Sequence, residues 1–202
     1  MVDNLPSSVY NAPITNEKRK KKEGTLMQTN TKNIVYIALM AAILCILAPI
    51  SIPIPVSSIA LTLATLAIYI IAYVLEPKEA LAAVGLYLLL GAIGLPVFSG
   101  YLSGISRFVA PGGGYLVGFL FLAGISSAFV HRFSHPLAQI GGMFLATCIT
   151  YCIGTFWLAR VTNAPFLATL PAGALVFLPL DTVKMLFACW LGRKLQQYLK
   201  KA

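Results

Sequence analysis

Apolar residues come in long blocks along this chain, and the charged ones are swept into the short intervals between them. Residues 34–50, 57–75, 80–95, 114–130 and 137–159 contain no Asp, Glu, Lys or Arg. A helix needs about 20 mostly apolar residues to cross the hydrocarbon core of a bilayer, with some latitude for thickness and tilt. Each block therefore predicts a membrane span. A sixth apolar run ends at Arg193 and Lys194, but Pro165, Pro171 and Pro179 interrupt its approach. Pro179 suits the first turn of the last helix, where a missing N–H costs nothing. Residues 164–177 are then a connector packed on the outer surface, with a helix kinked from Pro171 as the alternative. The predicted fold is an all-α integral membrane protein with six transmembrane helices.

Basic residues in the connecting loops set the orientation, because short cytoplasmic loops carry an excess of Lys and Arg. With the N-terminus inside, that side collects Lys18, Arg19, Lys20, Lys21, Lys22, Lys32, Lys78, Arg132, Arg193, Lys194, Lys200 and Lys201, twelve of the fifteen bases. The outside receives Arg107 and Arg160, and Lys184 lies within the sixth run. Both termini are expected in the cytoplasm, and the chain is expected to be a multi-pass protein of the cell membrane. Residues 1–32 read as a polar, basic, disordered tail, and residues 33–199 as one six-helix domain.

Composition narrows the function classes. The chain is 58% hydrophobic and 10% charged, with a mean hydropathy of +0.83, values foreign to a water-solvated globule. A net charge of +9 could suggest nucleic acid, but the basic run at residues 18–22 is more simply an anchor on anionic lipid headgroups. No nucleic-acid partner is expected. Cys45, Cys148, Cys152 and Cys189 all lie in apolar runs, which points to free thiols. A zinc-protease His-Glu-x-x-His, a rhomboid-type Gly-x-Ser-Gly and a nucleotide-binding Gly-x-x-x-x-Gly-Lys-Ser/Thr are all missing from the sequence. No metal or cofactor is called for.

Five of the six acids, Asp3, Glu17, Glu23, Glu76 and Glu79, lie in the tail or in one tight loop; Asp181 stands inside an apolar run with Lys184. Groups at i and i+3 share a helix face, and each ionisable group at the bilayer centre costs about 2.5–3.5 kcal/mol on insertion scales. Such a pair either locks helix packing or faces a substrate, the carboxylate accepting from ligand N–H groups and the ammonium attracting an anion. Arg107 lies in the long glycine- and serine-rich outer loop, as a solvated residue or as a second group closing over that anion. Pro111-Gly112-Gly113-Gly114-Tyr115 leads into the fourth span, where glycines permit close backbone approach and free N–H groups favour polar ligand atoms. Gly114 and Gly118 also form a small-xxx-small helix contact, as do Ala38 and Ala42 in the first span.

Four elements occur in the order found in the BioY family, which the chain resembles over nearly all of residues 33–195. They are Gly94-Leu95-Pro96-Val97-Phe98-Ser99-Gly100, the run from Pro111 to Phe119, Tyr151-x-x-Gly154-x-x-Trp157-Leu158, and Phe177-Leu178-Pro179-Leu180-Asp181-Thr182-Val183-Lys184. The resemblance implies the biotin-specific S component of an energy-coupling factor (ECF) transporter, which captures biotin at the outer face for ATP-driven uptake. It implies that Asp181 and Lys184 contact the ureido ring and the valerate carboxylate. Arg107, Phe98, Ser99, Gly113, Tyr115 and Tyr151 are further candidate substrate contacts. Ala38 and Ala42 resemble the surface that docks on a transmembrane coupling subunit, which works with two ATPase subunits; lipid is the remaining partner. Gly112 stands where the family usually has Thr, and Leu180 where Gly is common. The alternatives are an intramembrane enzyme using Asp181 and Lys184 on a lipid, and a scaffold in which the pair is a packing lock.

Overall fold

The computed structural model of the protein describes residues 16–53 and 59–199. In chain order these form α1 (Asn16–Leu47), the strands β1 (Ser51–Ile52) and β2 (Leu61–Thr62), α2 (Ala64–Val74), α3 (Pro77–Ala92), the one-turn α4 (Ser106–Val109), α5 (Gly113–Arg132), α6 (Pro136–Thr162), the short α7 (Phe166–Leu170) and α8 (Leu178–Leu199). The chain divides after Val35 into two compact units, and the helices from Tyr36 onward belong to the second. The first fifteen residues of the expected tail lie outside the described residues; from Asn16 the backbone is helical.

Among the described residues, three helical segments are long and apolar enough to cross a membrane: Gly113–Arg132, Pro136–Thr162 and Phe166–Tyr198. Thr31–Leu47 and Ala64–Val74 are shorter apolar helices. Element boundaries follow local chemistry. The second helix starts at Ala64 rather than at residue 57, because β2 pairs with β1 in an antiparallel hairpin, Ser51 opposite Thr62 and Ile52 opposite Leu61. Two paired residues on each side are thus strand within a fold expected to be all-α. Thr62 Oγ1 accepts the Ala64 N–H at 3.3 Å as the helix opens. The third helix begins earlier than residue 80, since Pro77 is a favourable first-turn residue and Glu79 accepts the Glu76 N–H at 3.3 Å. Pro179 does lie in the first turn of the last helix, while Pro171 opens a five-residue π-helical turn, Pro171–Leu175, joining α7 to α8. The last helix thus starts at its proline, and much of the connector before it is itself helical.

Close packing holds the bundle. α5 lies along α6, and α2 packs against both α5 and α8. In the lipid-facing part of a protein the drive to associate comes from packing and hydrogen bonds, so small residues mark where backbones meet. Gly114 abuts Trp157, and a Cβ on Gly118 would sit 2.7 Å from Thr150 Cγ2. Thr150 Oγ1 also donates to Gly118 O at 3.0 Å. Met40, Ala41 and Leu44 of α1 join Ile68, Ile71, Tyr87, Leu122, Met143 and Met185 in one apolar core. All four cysteines are free thiols.

Candidate functional site

One end of this bundle is closed by the hairpin and by the loop that links α3 to α5. The loop folds back sharply: Gly100 has φ +71°, a left-handed conformation open to glycine, and its N–H reaches Pro49 O at 3.1 Å. Phe98 N–H bonds Leu102 O at 3.0 Å, and Gly104 N–H bonds Gly91 O at 2.7 Å. Beneath lies a cavity of about 550 Å³, lined by both loops and by α2, α3, α5, α6 and α8. That volume is within the range of small-molecule sites, roughly 300–1,000 Å³.

Asp181 and Lys184 form part of its wall. They are joined by an ion pair of 2.7 Å, with the Asp181 side chain 1% and the Lys184 side chain 12% exposed. Thr62 of β2, Thr65 of α2 and Tyr151 of α6 supply the rest of their shell. Lys184 Nζ donates to Asp181 Oδ1, to Thr62 O at 2.8 Å and to Thr65 Oγ1 at 3.0 Å, so all three ammonium protons are used. Thr65 passes its own hydroxyl proton to Asp181 Oδ1 at 2.9 Å, and Tyr151 donates to Oδ2. A carboxylate offers about four lone-pair sites, and three are occupied. One acceptor site on Oδ2 is left without a protein donor among the described residues, and the charge of the pair is internally cancelled.

Arg107, on α4, lines the same cavity and is in a different electrostatic position. Its Nε is enclosed without a hydrogen-bond partner, and no described residue forms an ion pair with its guanidinium. The cavity thus carries one uncompensated positive charge. Its walls are aromatic: Phe98, Tyr115, Tyr151, Phe119 and Phe177. Tyr115 donates to Gly173 O at 2.7 Å, and its ring meets Tyr151 edge-on at 6.2 Å between centroids. Trp157 Nε1 donates to Ala110 O at 3.0 Å, fixing the stretch that enters α5.

Of the residues singled out in the sequence, Asp181, Lys184, Arg107, Phe98, Ser99, Tyr115 and Tyr151 all border this cavity. Gly113 is the exception. A Cβ there would strike the Phe108 backbone carbonyl, so Gly113 permits α5 to start against α4, and its neighbour Gly112 lines the cavity instead. Thr62, Thr65 and Tyr87 are lining residues that the sequence did not single out, and Phe177 entered there only as the start of the fourth element. Ala38 and Ala42 are exposed on α1, on the side away from buried Met40, Ala41 and Leu44.

Residues 18–201 match the family model described as the BioY family. The chain belongs to the BioY family. Among its relatives, biotin transporter BioY2 of Lactococcus lactis is 34% identical over 172 residues, covering 83% of this chain and 91% of that protein. The biotin transporter BioY of Rhizobium etli is 35% identical over 179 residues, covering 81% of this chain and 92% of that protein. The fold agrees: the crystal structure of the S-component for biotin from an ECF-type ABC transporter superposes with a TM-score of 0.79 at 28% identity, covering 84% of this chain and 93% of the other. Members of the BioY family are transport proteins, and no enzymatic role attaches to this one.

Proposed function

We propose that this chain is the biotin-binding S component of an ECF-type transporter, with the cavity under the two loops as its capture site. The observation that carries the reading is the inventory of that cavity: one acceptor site left on Asp181, one uncompensated guanidinium on Arg107, and aromatic walls. Biotin brings ureido N–H donors, one carboxylate, and an apolar thiophane and alkyl chain, so each ligand feature has a counterpart. An enzyme acting on lipid is disfavoured, because Asp181 is the only carboxylate among the described lining residues and it is held by three protein donors.

The ureido ring goes to Asp181, as the family resemblance implies. The carboxylate we assign to Arg107 rather than to Lys184, whose three protons already have acceptors within the protein. Lys184 then serves to neutralise Asp181 and hold its orientation. Phe98, Tyr115 and Tyr151 form the apolar contacts, with Ser99 at the rim.

Six spans with both termini in the cytoplasm place the loop end of the bundle outside, where the vitamin arrives. The described residues hold no nucleotide-binding loop, and energy would come from two ATPase subunits through a membrane-embedded coupling subunit docked on the Ala38 and Ala42 face of α1. The deciding experiment is thermal unfolding of the purified protein with and without biotin. A ligand that binds only the native state raises the midpoint by mass action; no shift at saturating biotin would overturn the reading.

A further inference from the structure

The hydroxyls of the buried tyrosines are accounted for at four positions and open at a fifth. Tyr69 meets Thr147 Oγ1 at 2.6 Å, Tyr73 donates to Gln139 Oε1 at 3.1 Å, Tyr115 donates to Gly173 O, and Tyr151 donates to Asp181. Tyr87, in α3, is equally buried at 1% exposure, yet its hydroxyl has no hydrogen-bond partner among the described residues. It is not sealed in apolar surroundings as Ser126 Oγ is. Tyr87 is one of the residues that line the cavity.

The ring is fixed by packing. It meets Phe98 edge-on at 5.6 Å between centroids, and Phe98 meets Phe108 in the same way at 5.8 Å. Phenylalanine would fill this place as well, and the hydroxyl adds only a polar atom to a residue of the cavity wall.

Donor accounting says what that atom is for. At the Asp181 end, the Thr65 and Tyr151 hydroxyls and all three Lys184 protons are spent inside the protein. What remains there accepts, apart from the half-buried Thr62 hydroxyl of the hairpin, and this suits ligand N–H groups. A ureido ring also carries a carbonyl oxygen, a strong acceptor that must find a donor once buried. The thioether sulfur is a weak acceptor with no such need. Ser51 and Ser99 bring hydroxyls too, but from the half-buried rim rather than from inside the bundle.

We propose that Tyr87 is a specificity-determining ligand contact whose hydroxyl donates to the ureido oxygen of bound biotin, an assignment that rests on the biotin reading above. Calorimetric titration of the parent and of Tyr87→Phe would test it, with biotin and with the analogue whose ureido oxygen is replaced by sulfur, a weaker acceptor. Tyr87→Phe should weaken biotin about five- to tenfold, leave the analogue within about twofold of its parental affinity, and keep the ligand-free unfolding midpoint. Unchanged biotin affinity, or equal losses for both ligands, would overturn the assignment. A parent protein that fails to bind biotin would instead overturn the functional reading, and that result appears before any substitution is made.

Discussion

Lys184 Nζ lies 2.7 Å from Asp181 Oδ1, one turn away on α8, and Thr65 of α2 closes the contact into a ring by accepting from the lysine and donating to the acid. The same three side chains join α2 to α8 and shape the cavity wall, so under the proposed function ligand capture is coupled to helix packing. It also explains how two charges are tolerated in an apolar run: each has its counterpart and its hydrogen bonds.

Breaking the ring from one side is therefore expected to be costly. Asp181→Asn strands a largely buried ammonium, and removing one partner of a buried pair costs about 3–5 kcal/mol. The unfolding midpoint in detergent should fall and biotin should no longer raise it. Combining Asp181→Asn with Lys184→Met removes both charges, which should recover much of the midpoint without restoring biotin binding. Parental binding by the double variant would show that the pair is a packing lock alone.

Arg107 should distinguish the ligand's anionic end. Hydrogen bonds to charged groups contribute about 1.5–3 kcal/mol, so Arg107→Ala should weaken free biotin by about ten- to a hundredfold. Biotin amide, which lacks the anion, should lose much less. Titration of both ligands gives the comparison, and equal losses would show that Arg107 does not hold the carboxylate.

The α5–α6 contact should be intolerant of bulk. In Gly118→Val the new Cβ would stand 2.7 Å from Thr150 Cγ2 and 3.2 Å from Thr150 Cα. The second contact is backbone and cannot rotate away. Overpacking of this kind costs about 1–3 kcal/mol, seen as a lowered midpoint. Gly141→Ala, on the same pair of helices with open space around it, should leave the midpoint unchanged.

What the sequence made legible was whatever is written in one dimension. Apolar blocks announced the helices, and Asp181 with Lys184 stood out because charge is costly in such a block. The start of α2 was not legible, since it depends on Leu61 and Thr62 pairing with Ser51 and Ile52 rather than on their own propensity. Nor were the partners of Lys184, because Thr62 and Thr65 lie more than a hundred residues away along the chain. Three consecutive glycines marked the entry to α5, but which one borders the cavity depends on helix rotation, which set Gly112 there and Gly113 against Phe108. Tyr87 gave no signal at all, as one aromatic residue within an apolar run.

Topology can be read by chemical labelling in a background with the four cysteines replaced. Ser103→Cys, in the long loop after α3, should react with a membrane-impermeant maleimide in intact cells. Lys78→Cys, at the start of α3, should react only after permeabilisation. The reverse pattern would invert the orientation and place the cavity mouth inside.

The exposed face of α1 carries the last expectation. Ala38 and Ala42 stand one turn apart with Leu39 and Ile46 also exposed, whereas Met40, Ala41, Leu44 and Ala48 are buried on the other side. Small residues let a second helix approach its backbone closely, so a coupling subunit seated there would be displaced by bulk. In Ala38→Trp with Ala42→Trp the new rings point out of the bundle, and the isolated protein should keep its biotin-dependent midpoint shift. Co-purification with the coupling subunit and biotin uptake by cells should both fall steeply. Uptake at the parental rate would exclude this face as the docking surface, while a lost midpoint shift would show that the substitutions had damaged the bundle itself.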